Sequence, residues 1–179
     1  MLGFSSVVLL DKTHEVARFE CGKPSLDRWL IQFALHNQRA DATRVYVACL
    51  AGTNRIIGYY AIKPGQLSVE ESTERTRKGL GQYPIGVAVL ARLAVDVSVQ
   101  GGGLGKALLK HALLRINAAI EILGGRAVVV HALDEEARNF YAKYGFESSP
   151  MDSMTMMLLV KDMRASLKQS DDSEATQQS

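Results

Sequence analysis

Apolar residues recur along the chain with the period of an α-helix in three segments. These segments are 25–40, 104–123 and 134–144. In the first, Ser25 is the expected N-cap. In the second, apolar residues step by four, three, four and three positions from Leu109 to Leu123, which marks one buried helix face. In the third, acidic residues crowd the first turn, where they favour the helix dipole, and Gly145 ends the helix.

Runs rich in β-branched and other apolar residues predict strands before and between these helices. The runs are 6–12, 44–50, 55–62, 85–95, 126–132 and 155–163. AGTN, 51–54, joins the second and third runs as a hairpin. Between 63 and 84, glycines, prolines and mixed charges predict either a charged loop or short helix over the mouth of a site, or a plain solvated connection. The order of elements predicts the α/β (α+β) class with a mixed sheet.

Length and composition suit a globular protein with one core. The chain has 179 residues, of which 47% are hydrophobic and 22% charged, and we expect a single domain over 1–165. The segment 166–179 is polar, and its last ten residues contain three acidic residues and no basic one, which predicts a disordered tail after a modestly basic body. The apolar runs are short or interrupted, so we expect no membrane span, no leader and a cytoplasmic location. Cys21 and Cys49 form neither a disulfide framework nor a metal cluster, and no metal is expected.

A glycine-rich turn in VDVSVQGGGLGKALL, 95–109, leads from the fourth predicted strand into the long helix. The first amides of a helix lack partners and its dipole favours anions, while glycines let a phosphate approach the main chain. Gln100 and Ala107 stand where a P-loop requires Gly and Ser or Thr. Lys106 and Leu108 stand where a dinucleotide fingerprint requires Gly or Ala. The remaining motif, Q-x-x-G-x-G, predicts a different anion site, with a flexible turn as the alternative.

Two motifs in order, LAVDVSVQGGGLGKALL and then ARNFYAKYGF, resemble the GNAT superfamily of acetyl-CoA-dependent N-acetyltransferases over about residues 86–160. FECGKPSLDRWLIQFALHNQRADATRVYVA, IIGYYAI and FESSPMDSMTMMLLVKD are similar to one branch, the GNAT toxins of bacterial type II toxin–antitoxin modules. The resemblance implies the GNAT fold, a mixed and mostly antiparallel sheet that splays at the acetyl-CoA site and is flanked by helices. It also implies that the chain acetylates the α-amino group of aminoacyl-tRNA and so blocks translation.

The same resemblance implies which residues hold acetyl-CoA. The pantetheine arm lies along the strand that ends at Val95, whose amide donates to the thioester oxygen. The pyrophosphate binds the amides that follow Gln100. The expected acetyl-CoA-binding residues are Leu93, Ala94, Val95, Gln100, Gly101, Gly102, Gly103, Leu104, Gly105, Lys106 and Asp134. Many GNAT members have Asn at the position of Asp134, so this chain keeps the acceptor and the N-cap but loses an amide donor.

Tyr141 is the expected general acid, which protonates the departing CoA thiolate after direct attack by the amine. The alternative is that Tyr141 is an aromatic core anchor, since it lies on the same helical stripe as Phe140. No general base stands out, although His131, Glu135 and Glu136 lie nearby in the sequence. For the RNA we expect basic residues at the mouth of the site, Arg92 first, because charge is unusual in such an apolar strand. The alternative is that Arg92 simply faces solvent. The other candidates are Lys63, Arg75, Arg77, Lys78, Arg39 and Arg44.

The toxin branch further implies a small ribbon–helix–helix antitoxin as partner, and homodimerisation. The alternative within the superfamily is an acetyltransferase for a small-molecule amine or a protein N-terminus. Two alternatives come from other classes: a non-catalytic CoA-binding module, which would not need Tyr141, and a nucleic-acid-binding protein that uses the basic residues of the long helix.

Overall fold

A computed structural model describes residues 3–177, with the side chain of Gln177 excepted. The elements in chain order are β1 (Val8–Leu9), α1 (Pro24–Gln32), α2 (Ala34–Arg39), β2 (Arg44–Cys49), β3 (Ile56–Leu67), α3 (Glu74–Arg77), β4 (Ile85–Val95), a 3₁₀ turn (Val97–Val99), α4 (Leu104–Leu123), β5 (Ala127–His131), α5 (Glu135–Lys143), β6 (Glu147–Ser148), β7 (Thr155–Leu159) and α6 (Val160–Gln177).

The strands form a seven-stranded sheet with the order β1-β2-β3-β4-β5-β7-β6. Antiparallel pairing joins β1 to β2, β2 to β3, β5 to β7 and β6 to β7. The pairing between β4 and β5 is parallel and joins Ala88 to Val128 and Val89 to Val129, while β4 itself continues to Val95. The sheet is therefore mixed and mostly antiparallel, which confirms the predicted fold class.

The chain divides into two compact units. One comprises Met1–Lys63 with Leu90–Ala112, and the other comprises Pro64–Val89 with Leu113–Ser179. The core of the first unit includes Leu30, Val45 and Tyr59, none more than 2% exposed. In the second unit, β5 and β7 supply a core of Val and Met side chains that are equally buried. The expected single domain over 1–165 stays a prediction. Among the described residues, no helix is long and apolar enough to span a membrane.

The first predicted helix, 25–40, consists of two helices, α1 and α2, that meet at Phe33. The N-cap of α1 is Lys23 and not Ser25, because Pro24 occupies the first helical position, where its fixed φ is favourable. At the junction, the side-chain amide of Asn37 donates to the Phe33 carbonyl at 2.9 Å. The Phe33 backbone, with φ −122° and ψ −26°, departs from helical geometry at this point and separates the two helices.

The C-terminal segment differs most from the sequence prediction. The last predicted strand, 155–163, ends at Leu159, and α6 begins at the next residue. Val160, Met163 and Leu167 are buried at helical spacing, so an apolar stripe supports the first turns of α6. Up to Gln177 the structure has a helix where the sequence predicts a disordered tail, 166–179. Residues 178 and 179 lie outside the described part of the chain.

Gly58 in β3 provides a test of how α4 packs in the first unit. A Cβ at Gly58 would lie 2.9 Å from Cδ1 of Leu108 and 3.0 Å from Cδ2 of Leu104, two buried side chains of α4. We expect Gly58→Ala to lower the free energy of unfolding by about 1–3 kcal/mol, since overpacking forces a backbone shift. Urea denaturation followed by circular dichroism measures the change. Gly86→Ala is the matched control, because a Cβ there meets nothing within 4 Å. Equal stability of the two variants would contradict the packing described.

Candidate active site

The glycine turn before α4 contains two glycines with a left-handed backbone and open space beside their α-carbons. Gly101 and Gly103 have φ values of 81° and 88°, in the left-handed region that favours glycine, and no atom lies within 4 Å of a Cβ built on either. Within α4, the amide of Ala107 donates to the Gly103 carbonyl at 3.1 Å. The preceding amides, those of Leu104 to Lys106, therefore have no acceptor inside the helix. This geometry suits a phosphate group at the positive end of a helix dipole.

The strand that precedes this turn carries the residues expected to line the pantetheine arm. Leu93, Ala94 and Val95 are the last three residues of β4, and Ala94 is buried while its two neighbours are half-buried. The amide of Asp96, directly after β4, donates to the Ile57 carbonyl of β3 at 2.9 Å. The strand is thus held to β3 up to the start of the turn.

The carboxylate of Asp96 is the most strongly bonded group at the site and was missed by sequence reasoning. Its side chain is 2% exposed and accepts from the Glu20 amide at 3.1 Å, from the Ser98 amide at 3.0 Å and from the Ser98 hydroxyl at 2.6 Å. The Arg55 guanidinium lies 3.8 Å away. Burial alone would raise the pKa of Asp96, but these hydrogen bonds and the charge of Arg55 outweigh it and hold the pKa below its ordinary value.

The side chain of Gln100 is bonded to the protein's own backbone. Its side-chain amide donates to the carbonyls of Cys21 and Val95, both at 2.9 Å. The expected contact with acetyl-CoA stays a prediction for the Gln100 main chain, while the side-chain donors bond to the protein's own backbone. The Cys21 thiol is buried, and burial together with Asp27 raises its pKa to about 12. The thiol is therefore protonated at neutral pH, which disfavours an acyl-cysteine intermediate.

Tyr141 lies on α5 with its ring buried among aromatic neighbours. The ring is 5.2 Å from Phe140 and 5.4 Å from Phe146, and the residue is 7% exposed. Among residues 3–177, no hydrogen bond engages its hydroxyl. Burial raises the pKa of the phenol above its ordinary value, so it keeps its proton at neutral pH. Tyr141 thus combines the packing of a core anchor with a hydroxyl that can donate a proton.

Asp134 is the N-cap of α5, as the sequence predicts. Its Oδ1 accepts from the Ala137 amide at 2.9 Å. One carboxylate oxygen is therefore used to start the helix that carries Tyr141. The expected contact between Asp134 and acetyl-CoA stays a prediction.

The three nearby candidates for a general base differ in their hydrogen bonds. The Thr155 hydroxyl donates to Asp152 at 2.9 Å and lies 3.1 Å from Nδ1 of His131. Since that hydroxyl has one proton, it accepts from His131 Nδ1–H, and Nε2 of the exposed imidazole is left as the acceptor. Glu135 instead pairs with Arg138 at 3.0 Å, and Glu136 lies exposed in the same helical turn. With its ring neutral, His131 keeps Nε2 as a hydrogen-bond acceptor, which a general base requires.

Arg92 lies over a pair of stacked aromatic side chains in the first unit, those of Trp29 and Tyr59. Its guanidinium carbon is 4.3 Å from the centroid of Trp29, which stacks on Tyr59 at 6.0 Å. The Tyr59 hydroxyl donates to the Leu26 carbonyl at 2.8 Å, which holds Tyr59 against α1. Burial lowers the pKa of Arg92, partly offset by Tyr59, yet a guanidinium stays charged at any physiological pH. Arg92 is therefore a half-buried cation that lies over an aromatic ring and not a freely solvated one.

The other basic candidates are spread over both units. Arg75 pairs with Glu147 and Asp162, both at 2.9 Å. Arg77 donates to the main-chain carbonyls of Val69 and Ser72. The remaining candidates, Lys63, Lys78, Arg39 and Arg44, are exposed. Arg44 also pairs with Asp41 at 2.8 Å.

Comparison with known proteins defines the class of this chain. Residues 41–148 match the model of the acetyltransferase (GNAT) domain. Over 165 residues, the chain is 41% identical to a tRNA-acetylating toxin of Mycobacterium tuberculosis, and the match covers 92% of this chain and 98% of that protein. The chain belongs to the GNAT acetyltransferase family.

Solved structures with this fold include several toxin complexes. AtaT complexed with acetyl-methionyl-tRNAfMet superposes with a TM-score of 0.82 and 24% identity, over 91% of this chain and 98% of that one. A mutant of the AtaT toxin bound to the C-terminus of the antitoxin AtaR and to acetyl-CoA gives a TM-score of 0.78 and 24% identity, over 93% and 99% of the two chains. At this level of identity, the likeness establishes the fold.

The Asp96 carboxylate provides a pH-dependent test of the site. We expect Asp96→Asn to lower the free energy of unfolding near neutral pH by about 1.5–3 kcal/mol, the usual worth of charge-assisted hydrogen bonds. The pKa of Asp96 is lowered in the folded state, so this stabilisation is present above the ordinary Asp pKa of about 3.9 and is lost as the pH falls through the folded-state value.

Denaturant unfolding of both proteins between pH 7 and pH 3 measures this difference. The gap between them is expected to be constant down to about pH 5 and to close below about pH 4. Asp172→Asn, at an exposed position of α6, is the control and should match the unmodified chain throughout. A gap for Asp96→Asn that persists unchanged at pH 3 would show that the charge is not the stabilising feature.

Proposed function

We propose that this chain is a toxin that transfers the acetyl group of acetyl-CoA to the α-amino group of aminoacyl-tRNA and thereby blocks translation. The observation that carries the proposal is the 41% identity to a tRNA-acetylating toxin, which extends over 92% of this chain. Membership of the GNAT acetyltransferase family supports the reaction type. The geometry of the glycine turn supports the acyl donor, because the amides there suit a diphosphate.

The proposed transfer is direct. The amine nitrogen attacks the thioester carbonyl carbon, the new C–N bond forms, and the C–S bond breaks. The Val95 amide stabilises the developing oxyanion, and Tyr141 gives its proton to the departing sulfur. The ammonium proton passes to a base, for which His131 is the best-prepared group in the second unit, because its Nδ1 proton is committed to Thr155. Binding both substrates makes the reaction effectively unimolecular.

Arg92 is the residue we propose for contact with the RNA. The Arg92 guanidinium lies over the Trp29 ring, keeps its charge and carries paired N–H donors, which suits a phosphate. The pairing of Arg75 with two carboxylates makes it a weaker candidate. Lys63, Arg77 and Lys78 remain secondary candidates in the same proposal.

We also propose a cytoplasmic location, a homodimer and an antitoxin partner of the ribbon–helix–helix type. The toxin AtaT binds the C-terminus of its antitoxin AtaR, which supports an antitoxin for this chain too. The proposed substrate is charged tRNA, which is found in the cytoplasm, and this supports a cytoplasmic location for the chain.

The decisive experiment is incubation of the purified chain with acetyl-CoA and a mixture of charged tRNAs, followed by mass spectrometry of the aminoacyl ends. N-acetyl-aminoacyl ends are the expected product. Rapid acetylation of small amines or peptide N-termini, with charged tRNA left untouched, would instead favour the non-toxin acetyltransferase.

Tyr141→Phe tests the proposed acid in the same assay. Removal of the hydroxyl leaves the ring packing intact, and we expect kcat to fall by about 10²–10⁴-fold, the usual range for general acid catalysis. Tyr144→Phe on the same helix is the control and is expected to retain activity. Turnover by Tyr141→Phe close to that of the unmodified chain would remove Tyr141 from this role.

Arg92→Ala tests the RNA contact through its salt dependence. Loss of one phosphate contact should weaken tRNA binding and reduce the slope of log K against log [salt] by about 0.7–0.9. Arg75→Ala is the matched control, since the Arg75 charge is already countered by Glu147 and Asp162. Equal slopes for Arg92→Ala and the unmodified chain would assign the RNA contact to other cations.

A further inference from the structure

The segment Phe19–Gly22 is bonded to the turn between β4 and α4 at three points. The Glu20 amide donates to the Asp96 carboxylate at 3.1 Å, and the Val97 amide donates back to the Glu20 carbonyl at 2.8 Å. The Gln100 side chain closes the third bond, to the Cys21 carbonyl at 2.9 Å. All of these residues belong to the first unit.

The Gln100 amide is a bridge, because its nitrogen donates to two carbonyls. One belongs to Cys21 and the other to Val95, the last residue of β4. The same side chain therefore fixes the residue before the glycine turn to the end of β4 and to a segment far away in the sequence. A ligand that binds through backbone amides needs those amides to be held in place before it arrives, since each freely rotating residue adds an entropic cost to binding.

We infer that Gln100 and Asp96 are positioning residues that latch the Glu20–Cys21 segment to the β4–α4 turn and so hold the Val95 and glycine-turn amides in their acetyl-CoA-binding arrangement. The inference rests on the proposed function for acetyl-CoA. It assigns to the Gln100 side chain a role toward the protein and not toward the cosubstrate. It also gives Asp96, Glu20 and Cys21 a part in acetyl-CoA affinity without contact with the ligand.

Gln100 is the better residue to test, because Asp96 is buried and its replacement affects the stability of the whole chain. Gln100→Met keeps the length of the side chain and removes both donors. Gln38→Met is the matched control, since the Gln38 amide also bridges two backbone groups of the first unit, the Leu10 carbonyl and the Val45 amide. Each variant thus loses two hydrogen bonds from one side chain to the backbone of the first unit, two donated bonds at Gln100 and one donated and one accepted bond at Gln38.

Titration calorimetry with acetyl-CoA and steady-state kinetics on the full chain give the readouts. For Gln100→Met we expect an acetyl-CoA Kd and KM raised by roughly tenfold, as for two lost hydrogen bonds of modest net worth. We expect kcat to fall as well, because the Val95 amide that Gln100 holds in place is the proposed oxyanion donor. Gln38→Met should bind acetyl-CoA as the unmodified chain does. Gln100→Glu should weaken binding at least as much, because a carboxylate cannot donate to the two carbonyls.

Hydrogen exchange of the amides between Asp96 and Ala107 gives a second readout that does not depend on activity. Faster exchange of these amides in Gln100→Met, with β2 and β3 protected as before, would support the positioning role of Gln100. Unchanged acetyl-CoA affinity and unchanged exchange in Gln100→Met, or an equal loss of affinity in Gln38→Met, would overturn it. If the unmodified chain did not bind acetyl-CoA, the proposed function itself would be wrong. If the unmodified chain bound acetyl-CoA and Gln100→Met behaved in the same way, only the positioning role of Gln100 would be wrong.

Discussion

The buried carboxylate of Asp96 is the interaction on which the arrangement of the first unit depends. A charge removed from water is tolerated only when donors or an opposite charge surround it. Here two amides and a hydroxyl donate to the carboxylate, and the Arg55 guanidinium lies 3.8 Å away. These groups come from three separate places in the sequence, so the carboxylate joins the end of β4 to Glu20 and to the turn that leads to the glycines.

The Glu20–Cys21 segment connects the end of β4 with the aromatic side chains beneath Arg92. The Cys21 amide donates to Asp27 of α1 at 2.8 Å, and two residues further along α1 Trp29 lies beneath the Arg92 guanidinium. One continuous set of bonds therefore supports both the turn proposed for the acyl donor and the cation proposed for the RNA.

Sequence periodicity predicted the elements with long, regular patterns and missed the short or mixed ones. β4 and α4 have the predicted bounds, because an uninterrupted apolar run and a repeated three–four step each have one interpretation. The end of β7 was misplaced, because Leu159 and Val160 continue an apolar run across the point where the backbone changes from strand to helix. The period that identifies α6 begins only with Val160, Met163 and Leu167, and three positions are too few to stand out beside a polar segment.

The site was predictable as a motif but not as a set of atoms. The sequence located the turn, the N-cap at Asp134 and the aromatic stripe of Tyr141, since each follows from residue types at fixed spacing. It also named Gln100 among the acetyl-CoA-binding residues, which stays a prediction, but it did not reveal that the Gln100 side-chain amide is bonded to two backbone carbonyls. Sites built from main-chain amides have this property in general: the ligand is held by atoms that every residue possesses, and side-chain identity specifies the support that holds those atoms in place. The polar side chains of such a motif are therefore best interpreted through their bonds to the protein first.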